Sequence, residues 1–111
     1  MNVSERKNYV LVTPSTSTFE VFRDKFKDQK HRWTDKHVVL DLKNIENLCR
    51  EDLASFLPSV IEHKETKSSF IVLANGIHLE ELEEKGMNVA PTLIEAEDLM
   101  EMEAIERDLG F

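Results

Sequence analysis

The sequence predicts a small α/β layer structure: a mainly parallel or mixed sheet of four or five strands with about four helices, in one domain over residues 1–111. Three observations carry that reading. Val38, Val39, Leu40 and Leu42 form a nearly continuous apolar run broken by one acid, Asp41, which fits a central strand covered on both faces. A second run, Ser69 to Ala74, ends at Asn75-Gly76, a turn pair. Between them Leu53, Phe56, Leu57, Val60 and Ile61 recur at helical spacing, so the stretch reads as strand, helix, strand with parallel pairing and a right-handed crossover.

The remaining elements follow in order. Asn8 to Thr13 is an earlier strand, stopped by Pro14 and the polar run Ser15 to Thr18. Residues 1–5 either extend it or fold back as a hairpin arm. Ser17 stands three residues before Glu20, the spacing of a capping box. Phe19, Phe22 and Phe26 then make an aromatic stripe on a helix running to about Lys30 or His31, with Trp33 as a lid over its end. The helix after the central strand spans about residues 50–66. Pro58 lies inside it and predicts a kink or local widening without a break, because the apolar stripe continues in phase. Leu79 to Lys85 gives about two helical turns stopped by Gly86, and Asn88 to Thr92 is a short extended piece whose proline suits an edge position or the end of a strand. Thr92 and Glu95 form a second capping box, opening a helix that reaches about Leu109 and stops at Gly110. Its apolar positions occupy two sectors. Ala96, Leu99 and Met100 should face the sheet, whereas Met102, Ile105 and Leu109 lie more than about 60° round from them. This second sector, with Phe111, either wraps the domain edge or forms a contact patch for another chain.

Charge is uneven along the chain. Residues 1–50 hold ten Lys and Arg against seven Asp and Glu; residues 51–111 hold four against fifteen, within a net charge of −8. That balance suits a solvated surface, or an acidic half that meets a basic partner. The basic stretch 23–37 interleaves acids with its cations, which weakens the footprint a nucleic-acid binder needs. No apolar run approaches the roughly 18 residues of a membrane helix, and the polar opening MNVSERKNYV does not read as a signal peptide. The expectation is a cytoplasmic domain that binds neither nucleic acid nor membrane.

Each enzymatic reading lacks a part. His31, His37, His63 and His78 are scattered, read as surface or cap residues, and do not form a metal set; His78 with Glu81 is the nearest pair. Cys49, the single cysteine, precedes a helix that could stabilise a thiolate, but it has no evident base and reads as a buried, inert thiol. Three glycines, at 76, 86 and 110, leave no phosphate-cradling loop. No catalytic residue, cofactor or metal is expected.

The order of elements, the Val38-Val39-Leu40-Asp41-Leu42 run and the helix after it resemble a STAS domain, the fold of bacterial anti-sigma-factor antagonists. The resemblance spans most of residues 8–105 and implies a mixed sheet with helices on one side, and no catalysis. In that family a Leu-Asp-Leu strand leads to Asp-Ser-Ser-Gly-Leu at a helix start. A partner kinase, itself the anti-sigma factor, phosphorylates the first serine, and the added charge releases the partner. Here Leu40-Asp41-Leu42 matches the strand and Leu53 the motif leucine, so Asp-Ser-Ser-Gly falls on Cys49, Arg50, Glu51 and Asp52. Arg50 occupies the phosphoacceptor place and cannot accept phosphate. The end of the chain is similar to that of a group of short bacterial proteins, some labelled ribonuclease Z; that enzyme's His-x-His-x-Asp-His zinc cluster has no counterpart in this sequence.

The expected function is therefore a non-catalytic, regulatory protein-interaction domain. It would meet one protein partner, by resemblance an anti-sigma-factor or kinase-like protein, through Asn47, Cys49, Arg50, Glu51, Asp52 and the rest of the loop 44–49. The alternative is an adaptor that forms oligomers, at its simplest a homodimer, through the acidic C-terminal helix and the patch Met102, Ile105, Leu109 and Phe111.

Overall fold

In the computed structural model, which describes residues 1–75 and 80–110, the central apolar run is a strand in the middle of a five-stranded sheet. The strands are β1 (Asn2–Glu5), β2 (Val10–Thr13), β3 (Val38–Asp41), β4 (Phe70–Leu73) and β5 (Asn88–Ala90), and they lie side by side in chain order. β1 runs antiparallel to β2, closing a hairpin in which the Arg6 N–H donates to the Tyr9 carbonyl at 2.8 Å; all other pairs are parallel. The opening residues thus form the hairpin arm, the second of the two options the sequence left open.

Side chains alternate across this sheet; both faces are buried at β3 and β4, whereas β1 is exposed throughout. Val10, Val12, Val38, Leu40, Phe70 and Val72 belong to one buried cluster; Val39, Ile71, Leu73 and Ala90 belong to another on the opposite face. The first face carries α1 (Phe19–Gln29), α2 (Arg50–Ala54), α3 (Leu57–Glu65) and α4 (Glu80–Glu84). Strands laid down in chain order make every crossover step the same way, so right-handed connections put these helices on one side. The last helix, α5 (Leu93–Asp108), is not a crossover, and it covers the other face through Ala96 and Met100. Helices therefore flank both faces, whereas the resemblance implied one.

The first face is filled by aromatic rings. Phe26 meets Phe56 edge-on at 5.4 Å and lies 6.0 Å from Trp33, whose indole is buried at the end of a 3-10 turn, Lys30–Trp33, that prolongs α1. Trp33 is the lid the spacing predicted.

Four local expectations need correcting or refining. The cap of α1 is Thr18, one residue beyond Ser17, and its side chain makes no capping bond. The Ser17 carbonyl instead accepts the Glu46 N–H at 3.1 Å, a tertiary bond that keeps Ser17 in the loop outside the helix. The helix over 50–66 is broken, not kinked. The Ser55 and Phe56 N–H groups turn back to the Asp52 and Leu53 carbonyls, closing α2, and Pro58 sits in the first turn of α3. There a missing N–H costs nothing, because the first helical N–H groups have no intrahelical partner. Leu53, Phe56 and Val60 keep their phase across the break and remain buried, while Ile61 faces solvent. His63, expected at the surface, is 2 % exposed. Its Nδ1 lies 2.9 Å from the Ser59 carbonyl oxygen and its Nε2 lies 3.0 Å from that of Trp33, tying α3 to the lid. Finally, the Thr92 hydroxyl accepts the Glu95 N–H at 3.2 Å, the hydroxyl half of the expected box.

Gly86 ends α4 with φ +96°, and the Met87 N–H reaches back to the Leu82 carbonyl at 3.0 Å. Gly76, His78, Leu79 and Phe111, which the sequence assigned to a turn, a candidate ligand pair, a helix start and a contact patch, lie outside the described residues.

Candidate functional site

β2, β3, β4 and β5 are parallel, so their carboxyl ends share one edge of the sheet, and the loop after β3 projects there. Its apolar members turn inward: Leu42 and Ile45 are buried, and the Ile45 N–H donates to the Leu42 carbonyl at 3.1 Å. The polar members Lys43, Asn44, Glu46 and Asn47 stay exposed, and Asn47 takes a left-handed conformation at φ 55°. Asparagine tolerates that region better than most residues.

The sequence-predicted contact residues therefore come together on one exposed surface. Cys49 is the N-cap of α2, Arg50 is its first residue, and Glu51 and Asp52 complete its first turn. The Asp52 carboxylate accepts the Cys49 N–H at 3.2 Å. Arg50 is a cation at the positive end of a helix, an unfavourable placement by itself. Carboxylates offset it: the guanidinium bonds Glu81 of α4 and reaches Glu51 at 3.5 Å, and Glu81 also meets Lys85 at 3.5 Å. These groups are half exposed or more, so solvent screens each pair and they add little to stability. They set the direction of the Arg50 side chain more than they hold the fold. Its own backbone N–H and then the Cys49 side chain hold the Glu51 carboxyl below its usual range, with Arg50 assisting.

Cys49 is exposed, which corrects the expectation of a buried thiol. The Asp52 backbone N–H lowers its pKa, but the carboxylates of Asp52 and Glu51 push it net upward. A thiol held in its protonated form is a poor nucleophile. Among the described residues no group of three or more His, Cys, Asp or Glu is arranged to hold a metal ion, and no helix is long and apolar enough to cross a membrane.

Sequence reasoning missed the opposite edge of the sheet, where the concave surface lies. A cavity of about 520 Å³ opens between the amino ends of β2 and β3 and the middle of α5, lined by Tyr9, His37, Glu97 and Glu101 among others. A neighbour of about 290 Å³ shares Asn8, Tyr9 and His37 with it. His37 Nδ1 accepts the Ser69 N–H at 2.8 Å, which leaves the ring proton on Nε2. Burial, and then the nearby Arg107, lower its pKa. Burial, and then the Glu97 carboxylate, push the Tyr9 hydroxyl upward. No spacing in the chain announces this groove; it exists because α5 returns over the second face.

The second contact patch the sequence singled out is described in part, Phe111 lying outside the described residues. Met102, Ile105 and Leu109 lie on the solvent side of α5 and nothing in the described chain covers them. The strands lie in chain order, so the parallel sheet has no point of order reversal, the place where open α/β sheets usually form a ligand crevice. No protein-family model matches the chain, and a search of curated proteins finds no match.

Proposed function

We propose that this chain is a non-catalytic regulatory domain of the bacterial cytoplasm that binds one protein partner through the edge formed by the loop 44–49 and the first turn of α2. The observation that carries the reading is Arg50. It is the first residue of a helix that follows the central strand, and it is exposed and oriented by Glu51 and Glu81. In the STAS domains that the chain resembles, that position carries the phosphorylated serine and faces the anti-sigma kinase. A guanidinium there makes the contact constitutive, with a carboxylate-bearing surface as its natural counterpart. The fold, an α/β domain with a mixed sheet, is compatible with this role and with many others.

Capture of a partner by the tagged chain, followed by the same capture with Arg50→Glu, tests the reading. Glutamate at a helix start favours the helix, so the variant should fold. Binding should fall at least tenfold; undiminished capture would move the interface elsewhere. The second reading is an adaptor that associates through α5, and the exposure of Met102, Ile105 and Leu109 favours it. Sedimentation distinguishes it, because a monomer near 12.9 kDa at working concentration counts against self-association.

A further inference from the structure

α5 is apolar on two opposite sides. Ala96 and Met100 pack on the sheet, while Ile94 (73 % exposed), Met102 (57 %), Ile105 (54 %) and Leu109 (65 %) stand in solvent. At 100° per residue those four fall within a sector of about 80°, nearly opposite the buried pair. The stripe runs about 22 Å, the length of a docked helix of four turns. Single exposed apolar residues need no explanation, but three aligned along one 16-residue helix and a fourth at its C-cap form a seam.

The charges say what covers it. Asp98, exposed, lies inside the stripe, four residues after Ile94 and four before Met102. Glu101 borders it on one side, Glu95 and Glu106 on the other. The helix holds seven Asp and Glu and a single base, Arg107, which lines a cavity on the far side. Covering Asp98 with another apolar helix would leave a buried carboxylate unpaired, which is strongly unfavourable. A two-fold pairing of α5 with a second copy would bring two acid-bordered seams together and give Asp98 no cation. A helix with an apolar stripe flanked by Lys and Arg satisfies both requirements.

We propose that the outer face of α5 is a docking surface for a basic amphipathic helix of another protein, with Asp98 as the carboxylate that selects a cation within the seam. This site is separate from the Arg50 edge and does not depend on its being used.

The test uses the full chain and two synthetic 16-residue peptides with the same leucine stripe, one flanked by lysines and one by glutamates. Fluorescence anisotropy should show the lysine peptide binding at least tenfold more tightly than the glutamate peptide. Ile105→Glu should weaken the lysine peptide at least tenfold and Asp98→Asn at least threefold. Ile61→Glu, on an exposed apolar residue of α3, should leave it within twofold. Equal weakening by Ile61→Glu would mean that the peptide does not distinguish the α5 face from other exposed apolar residues, and tighter or unchanged binding by Ile105→Glu would mean a diffuse attraction to an acidic protein; either would overturn the proposal. So would absence of binding to a folded monomer, or a concentration-dependent dimer that Ile105→Glu dissolves, which would make a second copy the occupant. All three variants replace exposed side chains, and unchanged thermal unfolding confirms that they fold.

Discussion

Replacing His37 by leucine removes the acceptor for the Ser69 N–H, which Nδ1 holds at 2.8 Å at the amino ends of β3 and β4. Ser69 is 1 % exposed, so its N–H cannot readily turn to water. An orphaned buried donor costs about 1–3 kcal/mol. For a chain of 111 residues, 1 kcal/mol moves Tm by about 4 °C, so His37→Leu should lower Tm by roughly 4–12 °C. His37→Asn keeps an acceptor oxygen close to the Nδ1 position and should recover most of that loss. The pair also separates the hydrogen bond from the charge. Burial and then Arg107 set the folded-state pKa of His37 below its ordinary value of 6.5. Its contribution to folding is therefore complete above pH 6.5 and is lost as pH falls through the lower folded value, because the unfolded chain takes up the proton first. Thermal melts of the three proteins from pH 7.5 to 5 should show the wild type losing stability with acid more steeply than His37→Asn. Parallel curves for those two, or a His37→Leu protein as stable as wild type at pH 7.5, would refute the reasoning.

The other predictions concern separate parts of the chain. Phe26→Ala empties the centre of the aromatic cluster and should cost about 3–5 kcal/mol in urea unfolding. Gly86→Ala forces a side chain into φ +96° and should cost about 1–2 kcal/mol by the same assay; the Lys64 ammonium that a Cβ would meet can swing away, so the backbone sets the cost. Pro58→Ala should change stability by less than about 1 kcal/mol, since proline in the first turn of α3 displaces no bond; a larger loss would mean the break needs the ring. Cys49 is exposed, so a disulfide reagent will label it. At pH 7 it should do so more slowly than an unstructured cysteine peptide, because the thiol is held above its ordinary pKa.

Elements whose residues repeat in register with one local period were legible in the sequence. The run from Val38 to Leu40 is apolar on consecutive positions because β3 is covered on both faces, and Phe19, Phe22 and Phe26 share one side of α1. What failed depended on distant partners. Ser17 and Glu20 have capping spacing, but the Glu46 N–H holds the Ser17 carbonyl and the helix starts one residue later. An unbroken stripe through Pro58 fits a kinked helix and two successive helices equally well, since both keep Leu53, Phe56 and Val60 on the sheet. Ring nitrogens carry no period, so the carbonyl partners of His63 and the role of His37 were invisible. The exposed Arg50 turn was legible, whereas the groove beneath α5 required knowing which face that helix crosses. Ile94 escaped notice because only the buried side of α5 defines what the outer side is.

The proposed function places the partner at the loop 44–49 and the first turn of α2. Amide chemical-shift mapping of the labelled chain with a captured partner should show the largest changes at residues 44–52 and Glu81, at the carboxyl ends of the parallel strands. Changes confined to Tyr9, His37, Glu97 and Glu101, at the opposite ends of those strands, would contradict it.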